Sequence, residues 1–89
     1  MLQEQITIIN KLGLHTRAAA KLVNTAARFE SKIELTREGH TIDAKSIMGV
    51  ITLGATQGSV LGLTVVGGDE HEAREAITEL VNNCFGEPE

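Results

Sequence analysis

Tryptophan and tyrosine are missing from this chain of 89 residues, and phenylalanine occurs only at Phe29 and Phe85. With 42% apolar residues and so few rings, the core must be built from Ile, Leu, Val and Ala. The lack of aromatics removes the stacking platform that single-stranded nucleic acid needs. Basic residues are also scarce, 8 Lys and Arg against 12 Asp and Glu, and a formal charge of −4 excludes the basic face of a nucleic-acid binder. The lone Cys84 has no internal disulfide partner, and the first residues lack the charged and apolar regions of a signal peptide, so a cytoplasmic protein is expected. Gly, Thr, Gln and Ser interrupt every apolar run from Ile47 to Val66, which leaves no bilayer-spanning stretch and no expected membrane partner. His15, His40 and His71 show no metal-ligand spacing, and neither a metal nor a cofactor is expected.

The pattern that is present predicts one domain over residues 1–89. Ile6 and Ile8 alternate with Gln5 and Thr7 as in a half-buried strand. Ala19, Leu22, Val23, Ala26 and Phe29 recur at helical spacing, predicting a first helix from about Thr16 to about Arg28. Ile33 and Leu35, the turn Glu38-Gly39 and the extended stretch around Ile42 read as a hairpin. Ser46 is a good N-cap for a short helix through Ile47, Met48, Val50 and Ile51 that stops at Gly54, despite Gly49 in its middle. Thr56 to Ser59 is a turn, and Leu61, Leu63 and Val65 alternate with Gly62 and Thr64 in the clearest strand of the chain. Asp69 and Glu72 have capping-box spacing before a helical stripe of Ala73, Ala76, Ile77, Leu80, Val81 and Cys84, which Gly86 and Pro88 end. The order β-α-β-β-α-β-α in so short a chain predicts an α+β fold, with helices on one face of an antiparallel or mixed sheet.

The stretch that points to chemistry is Gly13-Leu14-His15-Thr16-Arg17-Ala18-Ala19-Ala20. Its alanines start a helix close to His15, and Gly13 permits a sharp turn just before it. Amide groups in the first turn of a helix lack intrahelical partners, so together with the macrodipole they favour an anion such as phosphate. A histidine at that mouth is a carrier for the phosphoryl group, because its unperturbed pKa of about 6.5 leaves a neutral, nucleophilic ring near neutral pH. Arg17 offers a planar fork for phosphate oxygens, and as a cation in a first turn it is awkward unless an anion is nearby.

Three blocks stand in register: Gly13-Leu14-His15-Thr16-Arg17, Ala44-Lys45-Ser46-Ile47-Met48-Gly49 and Leu53-Gly54-Ala55-Thr56-Gln57-Gly58. With the order of elements they make the chain resemble, over almost its whole length, the HPr family, the histidine-containing phosphocarriers of the bacterial phosphotransferase system. Lys11-Leu12-Gly13-Leu14 is similar to the proteobacterial and nitrogen-related branch. The resemblance implies an open-faced sandwich of four antiparallel strands under three helices. It implies that His15 accepts a phosphoryl group at its pros nitrogen, Nδ1, from enzyme I, charged by phosphoenolpyruvate, and passes it to enzyme IIA domains, with Arg17 as phosphate partner. Ser46 matches a regulatory serine phosphorylated in relatives that have an HPr kinase/phosphorylase. The protein would then be a phosphorylated intermediate rather than an enzyme. Thr16, Ala20, Ile47, Met48 and Ile51 are the expected partner-docking residues. There are two departures from the family pattern: Ala18 stands where proline is usual, and Asn24 and Ala27 stand where many relatives have lysines, leaving Arg17 and Lys45 as the nearby positive charges.

Other readings compete with this one. His15 alone could be a helix cap, Ser46 is explained as an N-cap, and Cys84 reads as a small buried hydrophobe on the last helix. A regulatory protein-binding module of a nitrogen-related or carbon phosphorelay, acting through Ser46 and its hydrophobic patch, is the alternative function; it has no need of His-Thr-Arg. A small-molecule binding domain would require an apolar pocket that so small a core hardly contains.

Overall fold

The computed structural model describes residues 1–89. It contains strands β1 (Leu2–Thr7), β2 (Lys32–Arg37), β3 (His40–Asp43) and β4 (Val60–Val66), and helices α1 (Thr16–Ala26), α2 (Ile47–Thr52) and α3 (Glu70–Asn82). The strands form one antiparallel sheet in the order β1-β4-β2-β3. The alternation seen in the sequence fixes its two faces. Ile6 lies opposite Leu61, Ile33 opposite Val65 and Leu35 opposite Leu63, all buried. Gln5 opposite Gly62 and Gln3 opposite Thr64 lie on the other, polar face. Ala18, Ala19, Leu22 and Ala26 of α1, Val50 of α2 and Ala73, Ile77 and Val81 of α3 complete one apolar cluster with the inner face. No helix is long and apolar enough to cross a membrane.

Local chemistry explains most element ends. Glu38 and Gly39 both have left-handed φ, 49° and 83°, which matches the twist of the β2–β3 hairpin and keeps Arg37 opposite His40. Ser46 caps α2 by accepting the Gly49 amide at 3.2 Å. Gly49, out of place by helix propensity, has a packing reason: a Cβ there would lie 3.2 Å from Ile42 Cβ, so glycine lets α2 approach β3. Helix α1 stops at Ala26 rather than Arg28, because Arg28 and Phe29 bond to carbonyls three residues back, at 3.2 Å each, and tighten the last turn.

Two expectations about α3 are corrected. Asp69 is its N-cap residue but makes no side-chain cap, and the exposed Glu72 does not close a capping box. The Asp69 carboxylate instead accepts the amides of Glu30 at 2.9 Å and Ser31 at 3.0 Å, and the Ser31 hydroxyl. These amides follow the end of α1 and Ser31 is buried, so leaving them unpaired would be costly. Glu70 reaches back instead, accepting the Gly67 amide of the preceding turn at 3.1 Å while pairing with the N-terminal ammonium at 3.0 Å. Cys84 lies beyond α3 and is only half-buried. The chain there enters a left-handed turn, with φ of 53°, 55° and 79° at Cys84, Phe85 and Gly86.

The Asp69 clasp makes stability depend on pH. The Ser31 hydroxyl first, then the Glu30 amide, hold its carboxyl below the ordinary carboxylate range. A lowered folded value stabilises above the unfolded pKa, about 3.9, and is lost as pH falls through the folded value. Asp69→Ala is therefore expected to melt earlier than the parent at pH 7, with the gap closing below about pH 4. Thermal melts across that range check this; a gap independent of pH would contradict it.

Candidate functional site

The loop Asn10–Leu14 carries the chain from β1 to the mouth of α1. Gly13 sits at φ +67° against the turn after α2, where a Cβ would lie 2.7 Å from the Ala55 carbonyl oxygen. Leu14 then donates its amide to that same carbonyl at 3.0 Å. The next residue, His15, is extended (φ −71°, ψ 175°) and is the N-cap by position only: its carbonyl accepts the Ala19 amide at 2.8 Å, but its side chain makes no cap bond. The ring is therefore free of the helix-capping duty that could have explained it. The amides of Thr16, Arg17 and Ala18 donate to no backbone carbonyl.

What holds the ring is Glu87, which no sequence motif marks. Nε2 of His15 contacts Oε2 of Glu87, and Nδ1 has no hydrogen-bond partner in the protein. Oε1 of Glu87 accepts from Asn10 Nδ2 at 2.9 Å, and the same nitrogen donates to the Gly13 carbonyl at 2.8 Å. Facing two acceptors, the fully buried Asn10 amide must present nitrogen there. The hydrogen bond from His15, then that from Asn10, keeps the Glu87 carboxyl below its ordinary range, with the charges of His15 and Lys21 adding to the effect. The His15 side chain retains 28% of its exposure and Glu87 13%, so the ring is steadied from one side and accessible from the other.

The C-terminal tail is anchored just before Glu87. Phe85 is fully buried, and its carbonyl accepts Lys21 Nζ of α1 at 2.6 Å. Pro88 disfavours helical geometry for the residue before it, and Glu87 is extended at φ −82°, ψ 153°. A rare aromatic followed by Gly-Glu-Pro is the visible signal for this anchor, although Gly86 and Pro88 on their own indicate only a helix stop.

Between the loop and the tail lies a cleft of about 620 Å³ lined by Lys11, Leu12, His15, Thr16, Arg17 and Glu87, among others. Arg17 is exposed and enters none of the ion pairs. Thr16 is exposed, whereas Ala20 is half-buried. Ser46, Ile47, Met48 and Ile51 are all exposed on α2, which packs against α1 but does not line the cleft. Met48 at 65% and Leu12 at 67% exposure are conspicuous for apolar side chains, and Leu12 had not been anticipated. Lys45 is not the free charge it was expected to be, since its ammonium is held by the Phe29 carbonyl at 2.7 Å. His40 and His71 are exposed, at the hairpin and on the first turn of α3.

The family described as "PTS HPr component phosphorylation site" matches residues 2–83. The chain is similar to the phosphocarrier protein HPr of Cupriavidus necator, 53% identical over 89 residues with all of both chains covered. It is 49% identical over 87 residues to the corresponding protein of Xylella fastidiosa, covering 98% of each. Among solved structures it resembles HPr-C-His from Thermoanaerobacter tengcongensis, with a TM-score of 0.96, 44% identity and full coverage of both chains.

Proposed function

The chain belongs to the HPr family of phosphotransferase-system phosphocarriers, and from that premise we propose that His15 accepts a phosphoryl group at Nδ1 from phosphorylated enzyme I and passes it to enzyme IIA domains. The observation that carries this reading is the state of the ring: Nε2 is engaged by Glu87, Nδ1 is unpartnered, and the side chain borders an open cleft. A carrier must be reached by two different partner active sites, which an accessible nucleophile at a helix mouth allows and a deep pocket would not. Unpaired first-turn amides and the unpaired guanidinium of Arg17 favour an anion beside the ring. Metal and general acid belong to the partners, so the protein is a phosphorylated intermediate and not itself an enzyme. It requires no cofactor of its own, acts in the cytoplasm, and works as one domain over residues 1–89. Incubation with phosphoenolpyruvate and enzyme I, followed by intact mass measurement, tests the reading: one acid-labile, alkali-stable phosphoryl group is expected, and none gained would contradict it.

Ser46 is proposed as a second, regulatory site, phosphorylated where an HPr kinase/phosphorylase is present. Ser46 is exposed, and Ile47, Met48 and Ile51 beside it, with Thr16 and Ala20 on α1, form the proposed docking surface. A phosphate there places about −1.5 to −2 charges beside a surface that a phosphorylated, anionic partner must cover. Ser46→Asp is expected to raise the carrier concentration needed for half-maximal transfer while leaving the maximal rate largely intact. Rates measured against carrier concentration check this; curves identical to the parent would leave Ser46 as a helix cap only.

A further inference from the structure

Resting on His15 as the phosphoryl acceptor, we propose that Glu87 is a positioning residue that selects Nδ1 as the reacting nitrogen and keeps the phosphorylated ring competent to pass its group on. Two contacts converge on its carboxylate, Oε2 meeting His15 Nε2 and Oε1 accepting from the buried Asn10, and the tail before it is held by the burial of Phe85 and by Lys21 on the Phe85 carbonyl. A carboxylate accepts hydrogen bonds and cannot donate while ionised, so the Nε2 it meets carries the proton. The lone pair of a neutral ring is then on Nδ1.

The consequence for transfer follows from electron bookkeeping. The Nδ1 lone pair forms the new N–P bond as the bond between phosphorus and the donor atom of enzyme I breaks, its electrons returning to that donor atom. No proton moves: the ring of His15, still protonated at Nε2, becomes a phosphorylated imidazolium facing the Glu87 carboxylate. On delivery the N–P bond breaks, the pair returns to Nδ1, and a neutral imidazole leaves. Were the Nε2 proton lost, the leaving group would be an imidazolate, which departs far less readily. The Glu87 carboxylate against Nε2 is the counter-ion and hydrogen-bond acceptor that keeps this proton in place. The remaining charges around the pair are Lys11 and Glu89, which face each other at 3.7 Å, Arg17 on the first turn of α1, and Lys21, tied to the Phe85 carbonyl. None of them contacts Nε2.

Glu87→Ala removes both hydrogen bond and charge, while Glu87→Gln keeps an acceptor and removes the charge. In the unphosphorylated protein, ¹H–¹⁵N spectra are expected to show a hydrogen-bonded Nε2 proton on His15 in the parent and in Glu87→Gln, lost to exchange in Glu87→Ala. In the phosphorylated protein, the rate of dephosphorylation declines with rising pH as the ring loses its proton. Both variants are expected to lie below the parent on that alkaline limb, reacting roughly tenfold more slowly at the same pH. A contact that only anchored the tail would shift the melting temperature, be restored by glutamine and leave this profile in place. Profiles matching the parent in both variants overturn the proposal, as does an Nε2 proton in the parent that exchanges as freely as in Glu87→Ala. A parent that never acquires a phosphoryl group refutes the carrier reading instead, and the Nε2 spectra still decide the role of Glu87.

Discussion

Replacing His15 by alanine is expected to abolish phosphoryl acceptance while leaving the fold in place. The side chain is not part of the apolar cluster, makes no cap bond to α1 and touches the rest of the molecule through Glu87 alone among its hydrogen bonds. Its loss removes the nucleophile but no core packing. Circular dichroism and a thermal melt close to the parent's, with no mass gained from phosphoenolpyruvate and enzyme I, are the expected results. Acceptance that persists in His15→Ala with the same acid lability would reassign the site. Arg17→Ala, by contrast, should keep the nucleophile and lose only a charge-assisted contact, slowing transfer by roughly tenfold to a hundredfold.

Gly13→Ala is expected to produce the largest loss of stability near the site. The residue needs a left-handed φ of 67°, and a Cβ would stand 2.7 Å from the Ala55 carbonyl oxygen and 2.9 Å from Thr56 Cα, both backbone atoms that cannot swing aside. Left-handed strain costs about 1–2 kcal/mol and overpacking a further 1–3 kcal/mol, so a loss on the order of 2–5 kcal/mol is expected. Gly58 supplies the control, because it shares a left-handed φ of 91° but has nothing within 4 Å of a built Cβ. Gly58→Ala should cost only the strain. Equal denaturation midpoints for the two variants would show that the close approach at Ala55 is unimportant. The Gly13 variant should also transfer poorly, since Asn10 holds both the Gly13 carbonyl and Glu87, and a displaced loop uncouples the two.

That pairing shows what a sequence reveals and what it does not. Gly13 was legible as a turn residue because the need for it is local, but its close contact with Ala55 joins segments far apart in the chain. The strand Val60–Val66, the Glu38-Gly39 hairpin and the apolar stripes of α1 and α3 were legible because period and turn chemistry are written in neighbouring residues. The Asp69/Glu72 spacing misled for the opposite reason. The letters of a capping box were there, but the amides of Glu30 and Ser31 in another segment had the stronger claim on Asp69. Lys45 likewise had the charge expected of a docking site, and the end of α1 took it up through the Phe29 carbonyl. At the site itself, His15 and Arg17 announced themselves through their position at a helix mouth. Glu87 did not, because its meaning depends on Phe85 and Lys21 folding the tail back across 72 residues of sequence.

The most direct test is heteronuclear NMR of the protein labelled with ¹⁵N in its histidines and charged by phosphoenolpyruvate and enzyme I. The account predicts a single phosphorus–nitrogen coupling, on Nδ1 of His15, with Nε2 of the same ring still carrying its proton. A coupling on His40 or His71, a coupling on Nε2 of His15, or a phosphoryl group carried on oxygen would contradict it.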